Sequence, residues 1–464
     1  MVFSSVVFIF AFLPVFLAAY YLVPKLWAKN ILLLLFSMVF YFWGAGKLVI
    51  LLLFIGFVSW FFSWLIARTR FKKGFLVFAI LTFIGILIYN KYLGFIIDNL
   101  IYAGISGLPE VHTMISLGVS FFTFQAVSYN IDVYRKNKRY EQNPFYIILY
   151  ITMFPQLISG PLVRYQQIGT QLKDRVFSLP VFAEGIKRFI IGLGKKVIIA
   201  NQLGALVNLM VDNDSIVISP LVAWTAMAVF AIQIFFDFSG YTDMAIGIGK
   251  MLGFELPENF NFPYISRSVT EFWRRWHMSF ASWIKDYIFT PLAFQMRYWG
   301  KAGIVIALMI TFTVCGIWHG PTWNFLIWGL VQGLFLSLEE LFLLKFLKKL
   351  NGFAVVYLLF IIVTCLVFFR TENVSHAFGF LSLMFSPEKP GALGLNAFFT
   401  TEHTLILLLG IFFSIPVSIP DKLRQGRMKR IIPVVQATLL ILLFIMSVMR
   451  LVSETYNPFI YFKF

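Results

Sequence analysis

The chain has 464 residues, 60% of them hydrophobic and only 13% charged, with a mean hydropathy of +0.84. A soluble domain carries about a quarter charged residues, so this composition excludes a soluble fold and indicates a polytopic, all-α membrane protein. The net charge of +17 sits in short basic clusters between apolar runs, a pattern of cytoplasmic loops and anionic-lipid contacts and not of nucleic-acid binding.

Apolar runs near the spanning length fall at 3–23, 31–43, 47–66, 75–92, 219–236, 302–317, 323–345, 352–369, 404–419 and 431–450. The first lacks a positive leader region and a small-residue cleavage site, and reads as a retained helix. The segments 112–134, 145–165, 184–210 and 237–292 are too polar or broken to cross simply. They are expected as re-entrant or in-plane helices, which membrane depth tolerates only where protein or a water-filled cavity covers the backbone. No repeat, linker or soluble domain interrupts 1–464, so one integral membrane domain is expected. The basic loop at 68–73 should be cytoplasmic, which puts the N-terminus outside and Lys25 and Lys29 inside. The cluster at 422–430 is also expected inside, with the last helix carrying the C-terminus outward.

From Thr270 to Thr290 the pattern is helical. Phe272, Trp273, Trp276, Phe280, Trp283, Ile284 and Tyr287 share one arc, and Glu271, Arg274, Arg275, Ser282, Lys285 and Asp286 the other. This describes one amphipathic helix lying in the membrane plane, with His277 at the edge of the apolar arc.

A second histidine, His319, sits at the mouth of an apolar span, in the run from Thr311 through Trp318-His319-Gly320-Pro321-Thr322-Trp323 to Asn324. An ionisable ring among apolar spans is costly to bury and marks a functional site by default. A neutral imidazole can take the proton of a hydroxyl as it attacks an activated acyl carbon. Asn324 or the indoles of Trp318 and Trp323 are candidates for the hydrogen bond to the developing oxyanion. Cys315 shares a helix face with His319 but, like Cys365, reads as a buried small hydrophobe; neither supports a disulfide or a metal motif. Nucleophile-elbow, P-loop and zinc-helix motifs are missing from the sequence.

Several strings, in order, resemble the membrane-bound O-acyltransferase superfamily, in its bacterial branch of alginate O-acetylation membrane proteins. They are Met1 to Ser5; Ser120 to Gln125 through Asp132 to Arg135; Phe154 to Pro161; Phe236 to Gly247; Pro257 to Asn261; Thr270 to His277; Gly316 to Gly320; and Asn457 to Phe462. The chain departs from the family after Leu292, where a Gly-Gly turn is usual and Ala293 to Arg297 stands here.

The resemblance implies ten or more transmembrane helices ringed around a central funnel, with His319 as the catalytic base and His277 as its companion. It implies no permanently bound cofactor or metal, with acetyl-coenzyme A or another acyl thioester as donor. The acceptor is a polysaccharide or cell-wall glycan, reached through an exported partner resembling SGNH hydrolases, and the location is a bacterial cytoplasmic membrane. Asp132, Asp237 and Asp243 either line the funnel or satisfy local donors, and Gln156 either joins the path or supports a broken helix. Arg274 and Arg275 hold either donor phosphates or lipid headgroups. Two other functions remain open: a teichoic acid D-alanyltransferase fed by a carrier-protein thioester, and a proton-coupled transporter or flippase.

Overall fold

The computed structural model describes residues 1–109, 111, 118–136, 140–212, 217–388, 390–417 and 428–453. The tail signature Asn457 to Phe462 and the basic stretches 137–139 and 422–427 lie outside the described residues. Among the described residues the fold is all-helical, and the one β-feature is an isolated bridge between Ile218 and Leu393. Among the described residues seven helical stretches are long and apolar enough to cross a membrane, and three shorter apolar helices accompany them. Two of the seven, of 43 and 48 residues, have the length of two passes each, since about 20 residues cross the hydrocarbon. The expectation of a polytopic helical membrane protein is borne out.

The helices used below are α1 (Phe8–Leu22), α2 (Leu26–Ala45), α3 (Leu179–Val211), α4 (Pro220–Met251), α5 (Val269–Trp273), α6 (Met278–Ile284), α7 (Gly300–His319), α8 (Trp323–Leu338) and α9 (Ala354–Arg370). The chain divides into two compact units, Met1–Arg188 with Ala245–Pro257, and Phe189–Met244 with Glu258–Phe464.

The first unit is built around aromatic rings. Phe8, Phe12 and Phe16 of α1 and Phe40 of α2 all set their rings 5.3–6.4 Å from Phe154. The backbone N–H of Phe154 donates to Ser37 Oγ, so this break in the helix at membrane depth is satisfied by a side chain. Tyr20 donates to the carbonyl of Leu252, and Arg175 donates to Asn30 Oδ1 at 2.6 Å. Gln156 is buried here, its Nε2 donating to the carbonyl of Tyr150.

Two expectations are corrected along the middle of the chain. The stretch 184–210 is not a re-entrant element: it belongs to the continuous 33-residue stretch α3. Likewise 237–251 is the second half of α4, a 32-residue helix about 48 Å long, more than the hydrocarbon core requires. The charges that made both look unfit to cross are matched. Lys196 pairs with Asp237 at 2.5 Å and Lys195 with Asp243 at 2.7 Å. The same two helices meet backbone to backbone: a Cβ on Gly192 would fall 2.6 Å from the carbonyl oxygen of Gly240, and one on Gly240 2.7 Å from that of Gly192. Small residues permit that approach, and the approach brings short-range partners together across the crossing.

The segment 270–290 is also corrected, in continuity though not in polarity. It is two helices, α5 and α6, separated by a turn at which His277 adopts the left-handed conformation (φ 45°, ψ 52°). The two faces survive the break: Phe272, Trp273, Phe280, Trp283, Ile284 and Tyr287 are buried, whereas Arg274, Ser282 and Lys285 are exposed.

Both members of the Lys196–Asp237 pair are at most 3% exposed. Removing one partner of such a pair leaves a buried charge and costs about 3–5 kcal/mol, whereas replacing both by apolar groups is close to neutral. Lys196→Met should therefore sharply reduce monodisperse protein in detergent size-exclusion profiles, and the joint Lys196→Met, Asp237→Leu variant should regain most of it. Equal losses for single and double variants would contradict the pairing.

Candidate active site

His319 is the last residue of α7, and α8 begins at Trp323 after a three-residue turn. The hairpin is closed by glycine. A Cβ on Gly316 would lie 2.3 Å from the carbonyl oxygen of Phe325, and one on Gly329 would lie 2.4 Å from that of Phe312. Gly320 has no room for a side chain either, because a Cβ there would meet the Phe325 ring at 2.3 Å. The Phe325 ring in turn stacks at 27° to His319. Trp318, Trp328 and Phe369 complete an aromatic collar, with ring centres 4.7, 4.9 and 5.0 Å from the imidazole. His319 is half-buried, and it sits where the carbonyl ends of α7 favour the positive charge a ring acquires on taking a proton.

His277 reaches the same place from the α5–α6 turn. The segment before α5 holds that turn: Asn261 N–H donates to the carbonyl of Arg275, and Met278 N–H donates to the carbonyl of Asn259. The Asn259 side chain does more. Its Oδ1 accepts from the backbone N–H of Ser279 at 3.2 Å and from Ser279 Oγ at 2.9 Å, and lies 3.0 Å from His277 Nδ1. A backbone N–H can only donate, so the Asn259 atom facing it is the oxygen, and His277 Nδ1 must carry a proton to share it. In the neutral ring the lone pair then resides on Nε2. The ring is neutral, since burial pushes His277 down to about 3.

The base of α5 is anchored by Glu339, buried to 1% exposure. Its carboxylate accepts from the N–H groups of Val269 and Thr270, from Thr270 Oγ1 and from the Tyr357 hydroxyl. A carboxylate at a helix N-terminus satisfies donors that the helix leaves open.

The two imidazoles line one cavity of about 50 Å³, whose other walls are the aromatic and aliphatic side chains of Ile234, Phe238, Tyr264, Phe272, Trp273, Trp276, Trp328, Ile362, Leu366 and Phe369, together with Gln332 and Cys365. Gln332 Oε1 accepts from Trp273 Nε1 at 3.1 Å, which leaves its Nε2 amide, buried without an oxygen partner among the described residues, on the side of Cys365. The site thus holds two imidazoles, one oriented amide donor and a thiol, with no carboxylate among the described residues of its wall.

The other candidate residues are placed as follows. Trp318 stacks on Phe280 at 4.1 Å and flanks His319. Asn324 does not line the cavity: its Nδ2 donates to the carbonyl and hydroxyl of Thr371, closing the end of α9. Asp237 and Asp243 are in their ion pairs, Gln156 and Asp132 belong to the first unit, and Asp132 accepts from Gln166. Arg275 pairs with Glu271 and donates to the carbonyl of Asn261. Arg274 and Cys315 line a different cavity. Sequence reasoning missed Gln332, Asn259 and Glu339. Among the described residues no group of three or more histidine, cysteine or carboxylate side chains could hold a metal ion.

The His277 geometry is testable by ring ¹⁵N spectra of histidine-labelled protein in detergent. His277 should appear as the Nδ1–H tautomer and stay neutral down to about pH 4, against about 6.5 for an ordinary imidazole. Because the unfolded chain binds this proton below pH 6.5 and the native chain does not, the group removes stability as pH falls through that window and is silent above it. Asn259→Asp should raise the titration, since a carboxylate at Nδ1 favours the imidazolium. An unchanged tautomer and titration in both Asn259→Ala and Asn259→Asp would refute the role given to Asn259.

Comparison with known proteins identifies the family. The family model described as the membrane-bound O-acyltransferase family matches residues 119–369, which include both histidines and Gln332. The chain is 33% identical to the probable alginate O-acetylase of Azotobacter vinelandii, over the whole of both chains. It is 32% identical to the peptidoglycan O-acetyltransferase of Helicobacter pylori, over 85% of this chain and 80% of that one. To the teichoic acid D-alanyltransferase of Bacillus subtilis it is 32% identical over 50% of this chain and 60% of the other. Full-length similarity, the family match and two histidines on one cavity lead to one conclusion: the chain belongs to the membrane-bound O-acyltransferase family and is a multi-pass O-acyltransferase.

Proposed function

We propose that this protein moves an acetyl group from a cytoplasmic thioester to an acceptor on the outer side of a bacterial cytoplasmic membrane, for the O-acetylation of an exported polysaccharide or cell-wall glycan. The observation that carries the reading is the meeting of His319, His277 and the Gln332 amide on one small cavity. The acceptor hydroxyl approaches the thioester carbonyl carbon with its single O–H directed at His319, which takes the proton as the new C–O bond forms. His277, its Nδ1–H held by Asn259 Oδ1, stays neutral and acts as a positioning residue on the wall of the same cavity. Gln332 Nε2 donates to the carbonyl oxygen as it becomes an oxyanion, the role first sought in Asn324. Collapse breaks the C–S bond, and the proton on His319 passes to the departing thiolate.

Cavity size and charge narrow the substrates. The cavity of about 50 Å³ is walled closely by aromatic rings, which supports a small acyl group and a slender hydroxyl as its guests. This favours delivery through a side chain of an exported SGNH-hydrolase-like partner, which then modifies the polymer. The absence of a carboxylate on the cavity wall favours acetyl over D-alanyl, whose ammonium would lack a counter-charge. The names of the Azotobacter and Helicobacter relatives support acetyl transfer to a polysaccharide or peptidoglycan. Coenzyme A is the proposed carrier of the acetyl group, as substrate and not as a resident cofactor.

In liposomes loaded with radiolabelled acetyl-coenzyme A, external acceptor should become labelled as internal thioester is consumed. His319→Ala should abolish labelling with normal insertion. Gln332→Leu should slow the chemical step by about 10²–10³-fold with little change in KM, the loss of one oxyanion donor. Wild-type turnover in His319→Ala, or intact acetyl-coenzyme A appearing outside, would overturn the reading.

A further inference from the structure

A second cavity, of about 420 Å³, lies beside the first and is lined from the α5–α6 turn, α7 and α8. Its size is that of a ligand site, between about 300 and 1,000 Å³. Apart from Thr270, Ser282 and Thr311 its wall is apolar, and no carboxylate contributes to it. Two cations do: Arg274 and Lys285 are both exposed, and among the described residues neither side chain has a hydrogen-bond or ion-pair partner, in contrast to Arg275 next door. The largely apolar wall suits an apolar guest. Unmatched cations at its border add a demand for an anion.

We propose that this cavity is a binding site for one anionic phospholipid of the surrounding membrane, with an acyl chain in the cavity and the headgroup phosphate between Arg274 and Lys285. The outer face of α7 supports lipid as the source. Ile306, Ile310, Val314 and Ile317 form an exposed apolar stripe at helical spacing along it, and Leu308, Thr311, Phe312 and Cys315 on the adjoining face line the cavity. A chain lying along that stripe enters the cavity sideways without crossing a polar surface. Basic residues beside such a cleft are the usual partners of anionic headgroups. The phosphate-bearing thioester donor offers similar chemistry but is the poorer occupant. The histidines line the other cavity, and the Trp273 ring, held through its indole by Gln332, stands in the wall between the two.

The test uses full-length protein in nanodiscs and a phosphatidylglycerol carrying a photoreactive group at its chain end. Label should map to 278–289 and 308–315, and unlabelled phosphatidylglycerol should compete at least tenfold better than phosphatidylcholine with the same chains. Ala281→Phe, which fills the cavity and keeps both cations, should remove this labelling. Arg274→Gln with Lys285→Gln, which keeps the cavity, should leave labelling but abolish the preference for the anionic lipid. Should Ala281→Phe fold poorly, Leu308→Trp fills the same space from α7. Equal competition by the two lipids, or labelling unchanged in the filled variants, overturns the proposal. Displacement by coenzyme A but not by phosphatidylglycerol assigns the cavity to the donor, and displacement by inorganic phosphate alone leaves only a surface anion site; either outcome also overturns it.

Discussion

The backbone contact between α7 and α8 at Gly316 and Gly329 is the constraint from which the site follows. With the two helices this close, the turn between them has only three residues, and His319 is delivered at the end of α7 and not along its side. The same approach brings Phe325 against Gly320 and stacks its ring beside the imidazole, so the rotamer of the histidine is fixed by packing. Hydrocarbon supplies no hydrophobic drive between helices, and close packing of small residues takes its place.

A second constraint is polar. Membrane depth leaves no water to satisfy stray donors, and two buried side chains beside the site each gather several of them. Glu339 gathers four donors at the start of α5, and Asn259 gathers three at the start of α6. These two side chains bracket the turn that carries His277. In both the accepting atom is settled by a backbone N–H, which is why the protonation of the histidine can be read from geometry.

Much of this was legible in the sequence. Both histidines were singled out, they line one cavity, and the buried and exposed faces of 270–290 follow the helical arcs. The break at His277 was not legible, since nothing in the arc marks a left-handed residue. The continuity of α3 and α4 was hidden because hydropathy counts Lys196 and Asp237 as two separate penalties, whereas the folded chain joins them into one pair. Asn324, next to the motif, is engaged with Thr371, and the amide that reaches the cavity is Gln332, two turns further along α8. An amide in an apolar helix carries no signal of its own; only the indole of Trp273 that holds its oxygen reveals which way its N–H groups face.

Trp273 borders both cavities, and its indole N–H fixes the Gln332 amide. One rigid ring is therefore a shared wall between the reaction chamber and a larger cleft beside it. Any substitution at that ring therefore alters the lining of both spaces at once, and the hold on the Gln332 amide with them.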